Sequence, residues 1–144
     1  MQPRGEQRYT VGFIFDKTLT KVLLVHKERP EWQKGRVNGI GGKYEAGESA
    51  EDCISRETFE EAKLEIPPES WVYIGAMHQQ IGDVGILTTK YEGNPEDAVT
   101  NDHEVVEWFL IDKLPENTIS NVRWLIPLCL DKLQKGFGEF SIHY

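Results

Sequence analysis

Residues 41–64 read GGKYEAGESAEDCISRETFEEAKL, and this segment carries the clearest structural signals of the sequence. Gly47-Glu48-Ser49 opens a helix that we predict to continue to about Leu64. Ser49 is suited to cap this helix, and Asp52, three residues later, completes a variant of the capping box. Pro67-Pro68 forces the chain out of helical geometry afterwards. The centre of the chain is therefore predicted to be a helix that follows a glycine-dense segment.

Three glutamates lie on one face of this helix. Glu57, Glu60 and Glu61 stand at positions i, i+3 and i+4, within an arc of about 100°. Like charges at this spacing repel one another by a few tenths of a kcal/mol, which about reverses the usual benefit of an i,i+4 ion pair. Their hard oxygen ligands suit Mg²⁺ or Mn²⁺, ions that a phosphate substrate also needs. A solvated acidic helix face is the alternative.

The neighbours of the three glutamates favour a site over a solvated face. The backbone at Gly41-Gly42 is able to approach a metal or a phosphate closely, because glycine has no side chain. Arg56 precedes the first glutamate and is able to orient a carboxylate through a charge-assisted hydrogen bond. Thr58, Phe59 and Ala62 fall mostly on the other side of the helix, and we expect them to pack on a sheet.

The remaining segments alternate strands with turns. A predicted hairpin joins Tyr9–Phe15 to Val22–His26, and later strands are predicted over Trp71–Gln79, Val84–Tyr91 and Val105–Ile111. Residues 28–37 and 92–102 are predicted to be loops. A second helix covers Val122–Leu133, where Pro127 either kinks the helix or marks its start. This order predicts a mixed β-sheet flanked by helices in a single domain, residues 1–144.

Composition narrows the functional classes. Hydrophobic residues make up 39% of the chain and charged residues 28%, a mixture typical of soluble globular domains. The net charge of −8 opposes binding to a nucleic acid polymer, but it does not oppose a small phosphate ester that binds with a cation. No segment is predicted to cross a membrane, and we expect a cytoplasmic protein in which Cys53 and Cys129 are buried free thiols.

The spacing of these residues resembles a known motif. The pattern Gly42-x5-Glu48-x7-Arg56-Glu57-Thr58-x-Glu60-Glu61 resembles the Nudix box, G-x5-E-x7-R-E-U-x-E-E-x-G-U, in which U is aliphatic. Thr58 occupies an aliphatic position of the box. Lys63 occupies its last glycine, so the chain is expected to leave the helix differently. The resemblance implies an α+β fold, the Nudix α/β/α sandwich, and hydrolysis of a nucleoside diphosphate linked to another group.

The resemblance also implies a ligand set. Glu57, Glu60, Glu61 and the carbonyl of Gly42 would hold Mg²⁺, or Mn²⁺, and Arg56 belongs to the same catalytic group. The metal would polarise the phosphates, neutralise charge in the transition state and activate a water.

A further acid often comes from a loop before a later strand in this family. Glu104 is the favoured residue. Asp102 and Glu107 remain possible, because their spacing from Trp108 does not decide among the three.

Three segments are similar to those of 8-oxo-dGTP diphosphatases, residues 37–43, 108–115 and 124–127. By that resemblance Asn38 would hydrogen-bond the base and Lys43 would contact the substrate, although an Asn before Gly is equally typical of a turn. Trp124 is able to stack on a base, but the core is its favoured place. The paired acids expected ahead of Trp124 are missing, and Asn121 is the possible replacement.

The sequence thus predicts a hydrolase of phosphoanhydride bonds. The favoured reaction converts a nucleoside triphosphate, such as an oxidised purine like 8-oxo-dGTP, to the monophosphate and pyrophosphate, a role in sanitation of the nucleotide pool. Hydrolysis of ADP-ribose or another nucleoside diphosphate derivative is the alternative. A non-catalytic nucleotide-sensing domain is disfavoured, because the glutamates of the box are retained. The protein is expected to act as a monomer or a homodimer.

Overall fold

The computed structural model describes residues 7–80, 82–101, 103–136 and 138–143. Within these ranges the helices are α1 (Ala50–Ala62) and α2 (Val122–Lys135), and short 3₁₀ turns cover Glu31–Gln33, Pro68–Ser70 and Pro95–Asp97. The strands are β1 (Gln7–Asp16), β2 (Lys21–His26), β3 (Val37–Asn38), β4 (Ile40–Lys43), β5 (Val72–His78), β6 (Asp83–Tyr91), β7 (Val105–Leu110) and β8 (Phe140–His143).

Strand β1 organises a single mixed sheet. It runs parallel to β6 along its length, while β4 pairs antiparallel with Tyr9–Gly12 and β2 pairs antiparallel with Ile14 and Phe15. Strand β2 also pairs with β3 and β7, and β5 and β8 extend the sheet beyond β6. The glycine-dense strand β4 is therefore held beside the middle of the sheet.

Alternating side chains of β1 face two separate cores. Phe13 and Phe15 pack in a cluster that includes Leu125 and Ile126 of α2. Ile14 points to the opposite face and joins a second cluster that includes Ile54 of α1. Because a strand turns successive side chains to opposite faces, one sheet carries a helix on each side. The predicted α/β/α sandwich is confirmed.

Helix α1 begins as predicted and ends with a modified exit. Ser49 accepts a hydrogen bond from the Asp52 backbone N–H, and the Asp52 side chain accepts one from Ser49, so the capping box is confirmed. Lys63 caps the C-terminus in the left-handed region, at φ 59°. The chain thus leaves the helix through the conformation that glycine favours, at an energetic cost to a lysine.

One prediction for α1 is wrong. Thr58 and Ala62 are fully buried, but Phe59 is 46% exposed and does not pack on the sheet. Thr58 and Ala62 are four residues apart and share one row of the helix, whereas Phe59 lies about 100° away from Thr58. Lys63 lies one turn later, and its ammonium is 5.3 Å from the centre of the Phe59 ring.

Other departures concern short elements. The predicted loop over residues 28–37 contains the turn Glu31–Gln33 and the first residue of β3, and the sequence did not indicate β3, β4 or β8. Helix α2 starts at Val122 with Pro127 inside it, so the proposal that Pro127 marks its start is wrong. Both cysteines are buried free thiols, as predicted. In the ranges that the structure describes, no helix is long and apolar enough to cross a bilayer.

Candidate active site

Strand β4 and helix α1 bring the predicted carboxylates to one place. The backbone N–H of Gly41 donates to Glu61 Oε2 at 3.2 Å. A Cβ placed on Gly42 would lie 2.5 Å from the carboxyl carbon of Glu57, so the absent side chain makes room for that carboxylate. Glu60 lies further out, and 53% of its side chain is exposed. We call the surface formed by Glu57, Glu60 and Glu61 the acidic face.

Arg56 connects the acidic face to its surroundings. Its Nε donates to Glu48 Oε2 at 2.7 Å, and its Nη1 donates to Glu57 Oε1 at 2.9 Å. The same Nη1 lies 3.2 Å from Glu60 Oε2, and Nη2 donates to the carbonyl of Lys43 at 3.0 Å. The hydrogen bonds to Arg56 hold the pKa of Glu48 below its usual value. The guanidinium therefore fixes where Glu57 lies.

Two carboxyls of the acidic face resist ionisation. Burial, together with the negative charge of Glu57, raises the pKa of Glu61 to about 8 against the opposing effect of Lys27. Burial also raises the pKa of Glu57, although Arg56 partly compensates. A carboxylate that has lost its water gains from a nearby cation, because the cation stabilises its charged form. Strongly perturbed pKa values of this kind cluster at functional sites.

Of the two candidate acids that the structure describes, Glu104 lies beside the acidic face and Glu107 does not. Glu104 is 8% exposed, it accepts a hydrogen bond from Lys27 Nζ at 3.0 Å, and its charge raises the pKa of Glu61. The backbone N–H of Glu28 also donates to its carboxylate, at 2.6 Å. Glu107 instead pairs with His26 at 2.8 Å on an exposed part of the sheet. Asp102 lies outside the described residues.

A cavity of about 380 Å³ opens next to the acidic face. Its wall includes Gly41, Gly42 and Lys43 of β4. Gly41 and Gly42 also border the acidic face, at Glu61 and Glu57 respectively. The side chains that line it are apolar, amide, hydroxyl or lysine groups, and none of the described lining residues is acidic. The polar members of the wall are Tyr9, Thr10, Lys27, Gln33, Asn38, Lys43, Gln79 and Asn121. This volume is of the size that small-molecule sites have.

The predicted substrate-binding residues fall in different places. Asn38, Lys43 and Asn121 line the cavity. Asn38 Oδ1 accepts from the backbone N–H of Gly39 at 2.8 Å, the hydrogen bond of a turn Asn, while its Nδ2 donates to Gln33 Oε1 at 3.1 Å. Asn121 Nδ2 lies 3.7 Å from Met77 Sδ. Trp124 is 37% exposed, so its expected place in the core is wrong, and it is not part of the cavity wall.

The residues of the acidic face fit a divalent cation by their chemistry. The carboxyls of Glu57 and Glu61 are hard oxygen donors that burial keeps from ionising freely, and a divalent cation is the partner that such donors select. Arg56 separates Glu57 from Glu60 in this conformation. Accordingly, no group of three His, Cys, Asp or Glu side chains among the described residues is already arranged around a metal position.

Carboxylates beside a lysine-bearing cavity are typical of metal-assisted hydrolases of phosphate compounds. The NUDIX domain model matches residues 6–128, and the chain belongs to the Nudix family. It is a Nudix pyrophosphohydrolase, an enzyme that acts on phosphoanhydride bonds. Members of this family generally use divalent metal ions.

Individual relatives agree with this assignment. The chain is 33% identical to the oxidized purine nucleoside triphosphate hydrolase of Danio rerio, over 85% of this chain and 81% of that protein. It is 31% identical to the Mus musculus protein of the same name, over 84% of this chain and 78% of that one. The crystal structure of a MutT protein from Methanosarcina mazei Go1 superimposes with a TM-score of 0.68 at 16% identity, over 93% and 99% of the two chains.

Several residues of the cavity escaped the sequence analysis. Trp32 and Gln33 lie in a segment that was predicted to be a plain loop, and Met77 was treated only as part of a strand. No local periodicity marks them, because the cavity gathers residues from distant segments. For Trp32 and Gln33, the one available signal is their position shortly before Asn38.

Proposed function

We propose that this enzyme catalyses the Mg²⁺-dependent hydrolysis of a nucleoside triphosphate to the monophosphate and pyrophosphate, with an oxidised purine nucleotide such as 8-oxo-dGTP as substrate. The observation that carries the proposal is the contact between the buried carboxyls of Glu57 and Glu61 and the wall of the cavity, through Gly41 and Gly42. The names of the two vertebrate relatives support the choice of substrate.

In the proposed reaction, water attacks a phosphorus atom and the phosphoanhydride bond between the α- and β-phosphates breaks. Glu57, Glu60, Glu61 and the Gly42 carbonyl are the groups that would hold the metal, which supplies charge neutralisation and lowers the pKa of a bound water. Arg56 keeps Glu57 in position through its 2.9 Å hydrogen bond. Lys27 and Lys43 line the cavity, which supports a role for both lysines in binding phosphate oxygens.

Glu104 acts on the site through Lys27 and through its own charge. It holds Lys27 by an ion pair in which both side chains are nearly buried, at 13% and 8% exposure. Because Lys27 lowers the pKa of Glu61 while Glu104 raises it, this pair adjusts how readily Glu61 carries its charge. We infer that Glu104 is the additional acid of the catalytic group.

The cellular setting follows from the same proposal. Sanitation of the nucleotide pool places the enzyme in the cytoplasm, and two buried free thiols suit a reducing compartment. Its partner is the nucleotide substrate rather than a nucleic acid polymer, in line with the net charge of −8. We infer a monomer or a homodimer.

The test is substitution of Glu61 by Gln, with release of pyrophosphate and phosphate measured on a panel of dNTPs, oxidised dNTPs, ADP-ribose and dinucleotides. We expect wild-type turnover to fall by about 10³-fold or more in Glu61→Gln, since a metal ligand is lost while the fold persists. Glu65→Gln, an exposed change just beyond α1, is the matched control. Unchanged turnover in Glu61→Gln contradicts the catalytic assignment, and equal rates with 8-oxo-dGTP and dGTP contradict the sanitation role.

A further inference from the structure

The turn Glu31–Gln33 carries a polar side chain into the cavity wall. Gln33 is partly buried there, and its Oε1 accepts a hydrogen bond from Asn38 Nδ2 at 3.1 Å. Asn38 in turn accepts from the backbone N–H of Gly39 at 2.8 Å. Two hydrogen bonds thus connect the backbone N–H of Gly39, through the side chain of Asn38, to Gln33 in the cavity wall.

The backbone N–H of Gly39 fixes which side-chain atoms donate and which accept in these two hydrogen bonds. A backbone N–H only donates, so the atom of Asn38 that faces Gly39 must be the acceptor oxygen Oδ1. Asn38 then presents Nδ2 to Gln33, and the atom of Gln33 that receives this donor must be its oxygen. The orientations of both amides therefore follow from the backbone, and neither amide is free to exchange its oxygen and nitrogen.

The remaining group of Gln33 is a donor. Its Nε2 carries two hydrogens and donates to no described residue, whereas its oxygen is already engaged by Asn38. A partly buried donor without a partner gains most from an acceptor on a bound molecule. Nε2 is therefore available to an acceptor on a molecule that binds in the cavity.

We propose that Gln33 is a specificity-determining residue that donates a hydrogen bond from Nε2 to a carbonyl oxygen of the substrate base. The inference rests on the proposed function, because it assumes that the base of a nucleotide enters this cavity. It deepens that function by specifying the base edge, one that presents a carbonyl oxygen to Gln33. A site that donates to a substrate carbonyl disfavours an analogue that lacks it, because the donor then stays unpaired.

The substitution Gln33→Glu distinguishes a hydrogen bond from Gln33 to the substrate from a role of Gln33 in positioning Asn38. Glutamate keeps an oxygen that accepts from Asn38, so the two hydrogen bonds from Gly39 through Asn38 stay intact, but it replaces the donor Nε2 by an acceptor. Its added charge repels every triphosphate alike, and a ratio between two substrates cancels that effect. Gln33→Leu removes both functions, and Glu31→Gln changes an exposed residue of the same turn outside the cavity wall as the control.

The experiment measures kcat/KM on pairs of purine triphosphates that differ by one carbonyl, 8-oxo-dGTP with dGTP and dITP with the unsubstituted purine nucleotide. We expect the wild-type enzyme and Glu31→Gln to prefer the carbonyl-bearing member of at least one pair. Gln33→Glu and Gln33→Leu should lower that preference by about tenfold, the worth of one hydrogen bond.

The possible failures are distinguishable. A preference that Gln33→Glu leaves unchanged overturns the inference, because Gln33 then only positions Asn38. The absence of a preference in every pair for the wild-type enzyme overturns it as well. If no triphosphate is hydrolysed at all, the proposed function fails first and the inference fails with it.

Discussion

The acidic face and the cavity are neighbours with opposite chemistry. The acidic face consists of three carboxylates, of which Glu57 and Glu61 have raised pKa values, while the described wall of the cavity carries lysines and amides but no acid. Strand β4 lies between them, and its Gly41 and Gly42 border both. The contrast indicates that one region serves bond cleavage and the other serves recognition, so changes in each should produce different kinds of defect.

Substitutions of the two glycines of β4 should have the largest effects, and the two positions should differ in the kind of defect. A Cβ on Gly41 would lie 1.9 Å from the carbonyl oxygen of Thr10, whereas the atoms nearest a Cβ on Gly42 belong to the side-chain carboxylate of Glu57. Gly41→Ala should therefore destabilise the fold by about 3 kcal/mol or more, a cost typical of severe steric overlap. Gly42→Ala should keep its thermal stability but lose about 100-fold in kcat, because a displaced catalytic group slows the reaction steeply.

Thermal denaturation and turnover of both variants check this expectation. Gly138→Ala is the control, since a Cβ at that glycine meets nothing within 4 Å. Equal losses of stability in Gly41→Ala and Gly42→Ala would mean that β4 has only a structural role.

The second prediction concerns the pH dependence of stability, which should change with a substitution in the acidic face but not with one in the cavity wall. The folded-state pKa of Glu61 is raised to about 8, above the usual value of 4.5, mainly by burial. The folded protein therefore holds this proton more tightly than the unfolded chain, and stability is lost as pH rises from about 4.5 through 8. In the presence of a chelator, the wild type should lose on the order of a few kcal/mol of unfolding free energy over this range. Glu61→Gln should lose clearly less, because only Glu57, whose pKa burial also raises, then contributes from the acidic face.

Denaturant unfolding at several pH values measures the effect. The cavity variant Gln33→Leu should keep the wild-type pH dependence, because the described cavity wall has no carboxylate to titrate. A pH profile that is the same in Glu61→Gln and wild type would contradict the assigned burial of Glu61.

How much the sequence could predict also differs between the two regions. The acidic face depends on one continuous segment of sequence. The spacing of its three glutamates left a solvated helix face open, and the positions of Gly42, Glu48 and Arg56 favoured a site. The cavity depends on tertiary contacts. Gln33, Met77 and Asn121 come from a turn, a strand and a helix end that only the completed sheet brings together.

Strand β4 was missed for a related reason. Its glycines have low intrinsic preference for strands, and the pairing becomes favourable only where the absent side chain of Gly41 lets β1 approach. The contact between His78 of β5 and His143 of β8, whose rings stack at 4.7 Å, likewise requires the parallel pairing of two distant strands. Neither feature has a period that can be counted along the chain.

The third prediction concerns Thr58, which occupies an aliphatic position of the Nudix box. Thr58 is fully buried in α1, and its hydroxyl has no hydrogen-bond partner among the described residues. Thr58→Val replaces that hydroxyl by a methyl group and should stabilise the protein by about 1 kcal/mol without changing turnover. A loss of stability in chemical denaturation would show that the hydroxyl is satisfied in solution.

The fourth and smallest prediction concerns Lys63, which occupies the last glycine position of the Nudix box. Lys63 holds φ at 59°, a conformation that costs a lysine more than a glycine. Lys63→Gly should raise stability by about 0.5 kcal/mol, since relief of this cost exceeds the loss of the exposed contact with Phe59. Turnover should stay at the wild-type level, because the helix exit lies beyond the acidic face. A clear loss of activity would show that the exit helps to position Glu61.

We expect the buried carboxyls of the acidic face to bind a divalent cation. Titration calorimetry with Mg²⁺ at pH 7, in two buffers of different ionisation enthalpy and without nucleotide, tests this expectation most directly. Because the pKa of Glu61 is about 8, Glu61 is largely protonated at that pH and must release its proton to bind a cation. We predict that wild type binds Mg²⁺ with release of about one proton and that Glu61→Gln binds it far more weakly without proton release. Equal binding by both proteins would contradict the account.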